Sequence, residues 1–169
     1  MKIVSQIFKS GLIGIFIWVL AGCSFEDPKQ FSEISLTEPL KTLDGSTTTF
    51  KDVLETHKGK TLVINVWASW CKDCYVGLPN FKELQKEFPN VDYVFLSLDR
   101  TEERWKRSLS RYSVKGEHYF MANAKKGPLG DFLGLWWIPR YVVVDTDGTI
   151  KLFKAKKSSD PNIREALKN

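Results

Sequence analysis

Only three cysteines and two histidines occur among the 169 residues, and that scarcity excludes a good deal. Cys23 stands alone near the N-terminus, while Cys71 and Cys74 form a single Cys-x-x-Cys. A structural zinc site needs four ligands, commonly two such pairs or one pair with a closely spaced pair of histidines. His57 and His118 are far apart in the sequence and form no such pair. Lys and Arg number 25 against 20 Asp and Glu, yet no dense basic run appears, so nucleic acid is not an expected partner. The one basic cluster is Lys151, Lys154, Lys156 and Lys157. It reads as a solvated strand end, with anionic lipid or a protein partner as the other reading. Internal repeats and low-complexity stretches are also absent. What is present is apolar material, 43% hydrophobic and 13% aromatic, enough for the sizeable core of one domain.

The first residues carry Lys2 and Lys9 and no acid, followed by an almost unbroken apolar run from Leu12 to Leu20. A positive start, a short apolar stretch and small residues before a cut site mark an export signal. The stretch from Gly11 to Gly22 falls short of the roughly 20 residues that span a bilayer as a helix. Leu20-Ala21-Gly22-Cys23 resembles the lipobox of bacterial lipoproteins. That resemblance implies cleavage before Cys23, with lipid on its sulfur and an acyl group on the new amine, which removes this thiol from redox chemistry. An uncleaved anchor helix is the alternative, and both readings place the rest of the chain on the extracytoplasmic side of a bacterial envelope membrane. Ser24 after the modified cysteine does not favour inner-membrane retention under the enterobacterial sorting rule. The expected division is a signal peptide at 1–22, a lipid-anchored tether at 23–33 and one folded domain at 34–169.

Within that domain, Leu40 to Phe50 reads as a hairpin turning at Asp44-Gly45, and Lys51 to His57 as a short helix. Thr61-Leu-Val-Ile-Asn-Val-Trp67 is nearly continuous and rich in β-branched residues, the pattern of a central strand buried on both faces. Cys71 to Phe88 has helical spacing and stops at Pro89. Val91–Leu98 is a second buried strand. Thr101 caps a helix through Tyr112. His118–Met121 is a short strand, Gly127-Pro128 opens a short helix through Phe132, and Tyr141–Val144 and Thr149–Phe153 are the last strands. Asp160-Pro161 opens a final helix, with Asp as cap and Pro in the first turn. The fold class is therefore α/β with a mixed sheet flanked by helices.

The chemistry sits where the buried strand meets the next helix. A helix N-terminus offers unpaired N–H groups and about half a positive charge. A thiolate there is stabilised and its pKa falls. Cys71 is thus expected to attack a substrate disulfide, and Cys74, most of a turn later, to resolve the mixed disulfide. Half of a zinc site and a purely structural disulfide are the competing readings.

The segment Asn65-Val-Trp-Ala-Ser-Trp-Cys-Lys-Asp-Cys74 resembles the active-site strand and turn of TlpA-like thioredoxin-fold proteins. Pro79 falls where thioredoxins carry a helix-kinking proline. Ile138-Pro139 matches the family's cis-proline, the intervening stretch has room for the family's strand–helix insertion, and Asp145-Thr-Asp147-Gly148 is similar to the turn between its last two strands. The resemblance covers roughly 34–168. It implies a thioredoxin-like fold with an N-terminal hairpin, no cofactor beyond the redox-active Cys71–Cys74 pair, and no metal. It also implies a substrate groove formed by Trp70, Ile138, Pro139 and Trp137, with Trp136 outside both groove and core. Lys72 favours the Cys71 thiolate and Asp73 opposes it. Asn65 stands where cytosolic thioredoxins have a titrating Asp, and Gly77 where some TlpA-like reductases have Glu, so neither acid is present as a proton acceptor. Glu83 is expected to be solvated.

The expected activity is reduction of disulfides in exported proteins, apocytochrome c or misbridged envelope proteins among them. The protein would act as a monomer supplied by a membrane thiol donor. The alternative is a copper metallochaperone binding through Cys71, Cys74 and a histidine. A peroxidase is not supported, because no Pro-x-x-x-Thr-x-x-Cys arrangement precedes Cys71.

Overall fold

A computed structural model describes residues 26–168; the expected signal, the lipobox and Cys23 lie outside the described residues. Strand β3 (Leu62–Trp67) is buried at every position, as its continuous apolar run requires when both faces are covered. An N-terminal hairpin, β1 (Pro39–Lys41) and β2 (Thr47–Thr49), precedes it, and β4 (Asp92–Ser97), β5 (Glu117–Met121), β6 (Arg140–Val144) and β7 (Ile150–Ala155) follow. They form one seven-stranded sheet in the order β2-β1-β5-β4-β3-β6-β7. β3, β4 and β5 are mutually parallel neighbours, whereas β6, β7, β1 and β2 pair antiparallel. The C-terminal ends of β3, β4 and β5 therefore lie beside the start of β6 and the end of β7, since Val66 faces Arg140 and Tyr141 faces Ala155. β5 and the helix after it occupy the expected insertion.

Among the described residues seven α-helices and a 3-10 turn (Ala124–Lys126) accompany the sheet: α1 (Glu33–Leu36), α2 (Phe50–Thr56), α3 (Lys72–Val76), α4 (Leu78–Glu87), α5 (Glu102–Tyr112), α6 (Pro128–Phe132) and α7 (Pro161–Lys168). Thr49 and Asp52 form a reciprocal capping box on α2, and Thr101 caps α5 by accepting the Arg104 N–H at 3.3 Å. Asp160 accepts the Asn162 N–H at 3.0 Å at the head of α7. On one face of the sheet, Phe81 of α4 packs edge-on to Tyr93 and Phe95 and stacks on Tyr141. Tyr112 of α5 stacks on Trp67 with centroids 3.7 Å apart. Among the described residues no helix is long and apolar enough to cross a membrane.

Two departures from the sequence reading have clear causes. The single helix expected over 71–88 divides into α3 and α4 at Gly77. Pro79 lies in the first turn of α4 and has no N–H to carry the ladder across the junction. The expected tether ends sooner than residue 33. The Lys29 carbonyl accepts the Ile150 N–H at 2.8 Å, and Phe31 packs edge-on against Phe50 and beside Phe132. Ser32 then caps the unexpected α1 by accepting the Ser35 N–H. The apolar ring of Phe31 docks this stretch, which composition alone marks as polar linker.

Glu38 is fully buried just ahead of β1. Its carboxylate accepts the Leu129 N–H at 3.2 Å and an Asn123 amide N–H at 3.1 Å, so it caps α6 across 91 residues of chain. Gly127 makes this possible: a Cβ there would stand 2.2 Å from a Glu38 carboxylate oxygen. Burial raises the Glu38 pKa above its ordinary 4.5, outweighing the two hydrogen bonds that lower it. A raised carboxyl pKa means the folded state holds the proton more tightly than the unfolded state. The contribution is complete below about pH 4.5 and is lost as pH rises through the folded value. Unfolding free energies measured by urea titration from pH 4 to 7 are expected to show this loss in the wild type but not in Glu38→Gln. Parallel pH curves for the two proteins would refute it.

Candidate functional site

The turn after β3 is built to place one sulfur. Trp67 ends the strand with its carbonyl accepting the Leu98 N–H at 2.8 Å, and the Cys71 N–H closes a turn onto the Ala68 carbonyl at 3.0 Å. Cys71 is the N-cap of α3, where its Sγ accepts the Cys74 N–H at 3.1 Å. The two sulfurs are joined as a disulfide. Cys71 keeps 6% of its surface exposed and Cys74 only 1%. The first sulfur is thus the accessible one, and it lies where helix N–H groups stabilise negative charge.

Across from it, the Ile138–Pro139 bond is cis, and the Ile138 carbonyl oxygen is 3.7 Å from Cys71 Sγ. A cavity of about 480 Å³ opens over Cys71, walled by Trp70, Leu98, Leu135, Trp136, Trp137 and Ile138, with Lys72, Asp73 and Lys125 at its rim. Pro139 is buried beneath. The sequence reading left Trp136 out of the groove. The structure corrects this, because Trp136 is 91% exposed and lines the cavity. The reason lies in Gly134, whose φ of +56° ends α6 and turns the chain outward.

Two buried charges hold this arrangement, and neither was singled out from the sequence. Asp99, two residues past the end of β4, is 3% exposed. It accepts the Ser69 N–H with both oxygens, at 3.1 and 3.2 Å, and also the Ser69 and Ser97 hydroxyls. It therefore clamps the turn two residues before Cys71. Arg140, 4% exposed, donates to the carbonyls of Leu133 and Gly134. It thereby caps the end of α6 and fixes the loop that carries both tryptophans. A carboxylate two residues past a buried strand and an arginine straight after the proline were the available signals.

Asn65 lies fully buried in mid-strand, accepting the Tyr112 hydroxyl at 3.3 Å. Burial pushes the Tyr112 phenol upward and that of Tyr141 up to about 12. Neither phenol can take a proton from a thiol at neutral pH. The place of a side chain at Gly77 is occupied, since Ser158 Oγ donates to the Gly77 carbonyl at 2.8 Å and would lie 3.1 Å from an added Cβ. Glu83 is exposed and pairs with Lys86. His57 sits between Asp92 and Glu117, at the opposite end of the sheet from Cys71. His118 stacks on Phe95 in mid-sheet, and burial lowers its pKa. Neither ring is placed with the cysteine pair. Among the described residues no group of three or more His, Cys, Asp or Glu is arranged to hold a metal ion.

A strand, a Cys-x-x-Cys at a helix cap and a facing cis-proline define a thioredoxin-like domain. The chain belongs to the thioredoxin-like family, whose model matches residues 59–150. It is 29% identical over 116 residues to the thioredoxin-like protein YneN of Bacillus subtilis, covering 66% of this chain and 64% of that one. It is 28% identical over 99 residues to the thiol-disulfide oxidoreductase ResA of Bacillus thuringiensis, covering 57% and 56%. The chain thus spans 64% and 56% of the lengths of these two relatives. A solution structure from Bacteroides vulgatus, named for thiol-disulfide oxidoreductase, superposes with a TM-score of 0.64 at 28% identity, over 79% of this chain and 85% of that one.

Proposed function

We propose that this protein is a thiol–disulfide oxidoreductase that reduces disulfides in exported proteins while tethered to the envelope membrane through lipid on Cys23. The observation that carries the reading is Cys71 itself: an accessible sulfur at a helix N-cap, hydrogen-bonded by the Cys74 N–H and facing the Ile138 carbonyl across an apolar groove. The names of the relatives ResA and of the Bacteroides structure support the same chemistry.

In the reduced protein the Cys71 thiolate attacks one sulfur of a substrate disulfide, forming a mixed disulfide and releasing the first substrate thiolate. The Cys74 thiolate then attacks Cys71, releasing the second substrate thiol and leaving the 71–74 disulfide. Two electrons pass to the substrate, and a membrane dithiol restores them. The Ile138 carbonyl offers an acceptor to an extended substrate backbone, and Trp70 and Trp137 suit apolar segments of incompletely folded chains. Apocytochrome c and misbridged envelope proteins are the proposed substrates, with the protein acting as a monomer and no cofactor required. Copper binding would have to rely on the two thiolates alone, since neither histidine is placed beside them.

The test is equilibration of the 71–74 pair with glutathione buffers, followed by insulin reduction with dithiothreitol as donor. A potential in the range of thioredoxin, about −270 mV, supports reduction; one near the strong-oxidant value of about −120 mV overturns it.

A further inference from the structure

The first described residues do not enter the domain at random. The Lys29 carbonyl pairs with Ile150 at the start of β7, and Asp27 forms an ion pair with Lys154 near its end, at 2.9 Å. Traced backward, the chain therefore runs along β7 toward Ala155, which faces Tyr141 beside Arg140 and Pro139. That is the end of the sheet where Cys71 lies. Cys23 precedes Asp27 by four residues, a reach of at most about 14 Å. A lipid on Cys23 would hold the active-site end, and not the opposite end, close to the bilayer.

The same end carries the side chains such a position calls for. Trp70 is 60% exposed, Trp136 91% and Trp137 55%, and all three stand around the Cys71 groove. Large exposed apolar side chains grouped on one surface mark an interaction site, and tryptophan is the side chain enriched at the lipid headgroup level. Exposed Lys72 and Lys125 stand at the groove rim, Lys154 lies near the end of β7, and Lys156 and Lys157 follow it. Basic groups beside a membrane are attracted to anionic headgroups. Acids share this end: Asp73, Glu102, Glu103 and Asp160, of which Glu102 and Glu103 pair with Lys106 and Arg107 within α5. The net electrostatic attraction is consequently weak, and the tether and the tryptophans carry the placement.

We propose that the active-site end of this domain rests on the membrane surface with Trp136 at the headgroup level, so that Cys71 exchanges disulfides with partners whose reactive sulfurs lie at that surface. This rests on the reading of Cys23 as a lipid anchor. The occupant facing Trp136 is the bilayer interface, and the groove that Trp70 and Trp137 line opens along it for an extended segment of a membrane-bound thiol or disulfide partner.

The test uses the full chain, purified with its lipid and reconstituted in phosphatidylethanolamine–phosphatidylglycerol vesicles with or without brominated phosphatidylcholine. Brominated chains quench tryptophans at the interface and leave buried Trp67 and Trp105 unaffected. The expected result is flotation with the vesicles and quenching that falls by about a third or more in Trp136→Phe, which removes one of the three rim tryptophans. Flotation with equal quenching in the two proteins overturns the placement and leaves the anchor standing. Failure to float, matched by Cys23→Ser, overturns the anchor reading and the placement with it. Unquenched Trp136 emission that responds instead to an oxidised peptide assigns the rim to substrate and also overturns the placement. Insulin reduction in solution reads the redox assignment separately from all three.

Discussion

Cys71→Ser is expected to reduce insulin no faster than the uncatalysed background, whereas Cys74→Ser keeps the first half of the reaction and accumulates as a covalent adduct. The asymmetry follows from position. Cys71 sits at the cap of α3, accepts the Cys74 N–H and borders the groove. A free thiol with an ordinary pKa near 8.5 is only a few per cent thiolate at pH 7, and placement at a helix N-terminus raises that fraction. A serine hydroxyl there neither ionises at neutral pH nor forms a disulfide. Cys74, 1% exposed, cannot meet a substrate disulfide directly, but its sulfur is within bonding reach of Cys71. Non-reducing gels of Cys74→Ser incubated with oxidised substrate should show a band of added mass that dithiothreitol removes. The opposite pattern, with adducts on Cys71→Ser and none on Cys74→Ser, would reverse the assigned roles.

Phe81→Ala is expected to lower stability by about 3–5 kcal/mol. Phe81 is 1% exposed, and its ring meets Tyr93 and Phe95 of β4 and Tyr141 of β6 on one face of the sheet. Removing it leaves a cavity where α4 seats on the sheet, and neighbouring rings cannot rotate to fill it without losing their own contacts. A domain of this size has a total stability of roughly 5–15 kcal/mol. With a urea slope of about 1–3 kcal/mol/M, the midpoint should fall by roughly 2 M. Phe81→Leu, which keeps most of the volume, should lose less than half as much. Similar midpoints for Phe81→Ala and wild type would mean that α4 is held elsewhere.

The frame was legible because its signals are strong and local. β3 and β4 declare themselves as unbroken apolar runs, which only a doubly covered strand requires. Thr101 and Asp160 mark helix starts through side chains that bond their own backbone. The cysteine pair and Ile138-Pro139 could be read from the motif and its resemblance. What escaped the reading depends on residues distant in the chain. Glu38 caps a helix that begins 90 positions later, and nothing beside Glu38 in the sequence announces that Leu129 will present its N–H. Asp99 reaches back 30 residues to Ser69. Trp136 and Trp137 are adjacent and chemically alike, and the turn at Gly134 brings both to the groove. α1 was hidden because a four-residue helix has too few positions to show a period.

Glu38 and Gly127 also leave a mark on how such a sequence can drift. The Glu38 oxygens fill the space where any side chain at 127 would begin, so neither position can change freely while the other stays. A descendant that acquires alanine at 127 must shorten residue 38 and also give way at Asn123, whose Cβ would stand 2.7 Å from the new one. These two sites, 89 positions apart, should therefore change together, because one fastens the inserted helix to the hairpin and the other leaves room for it.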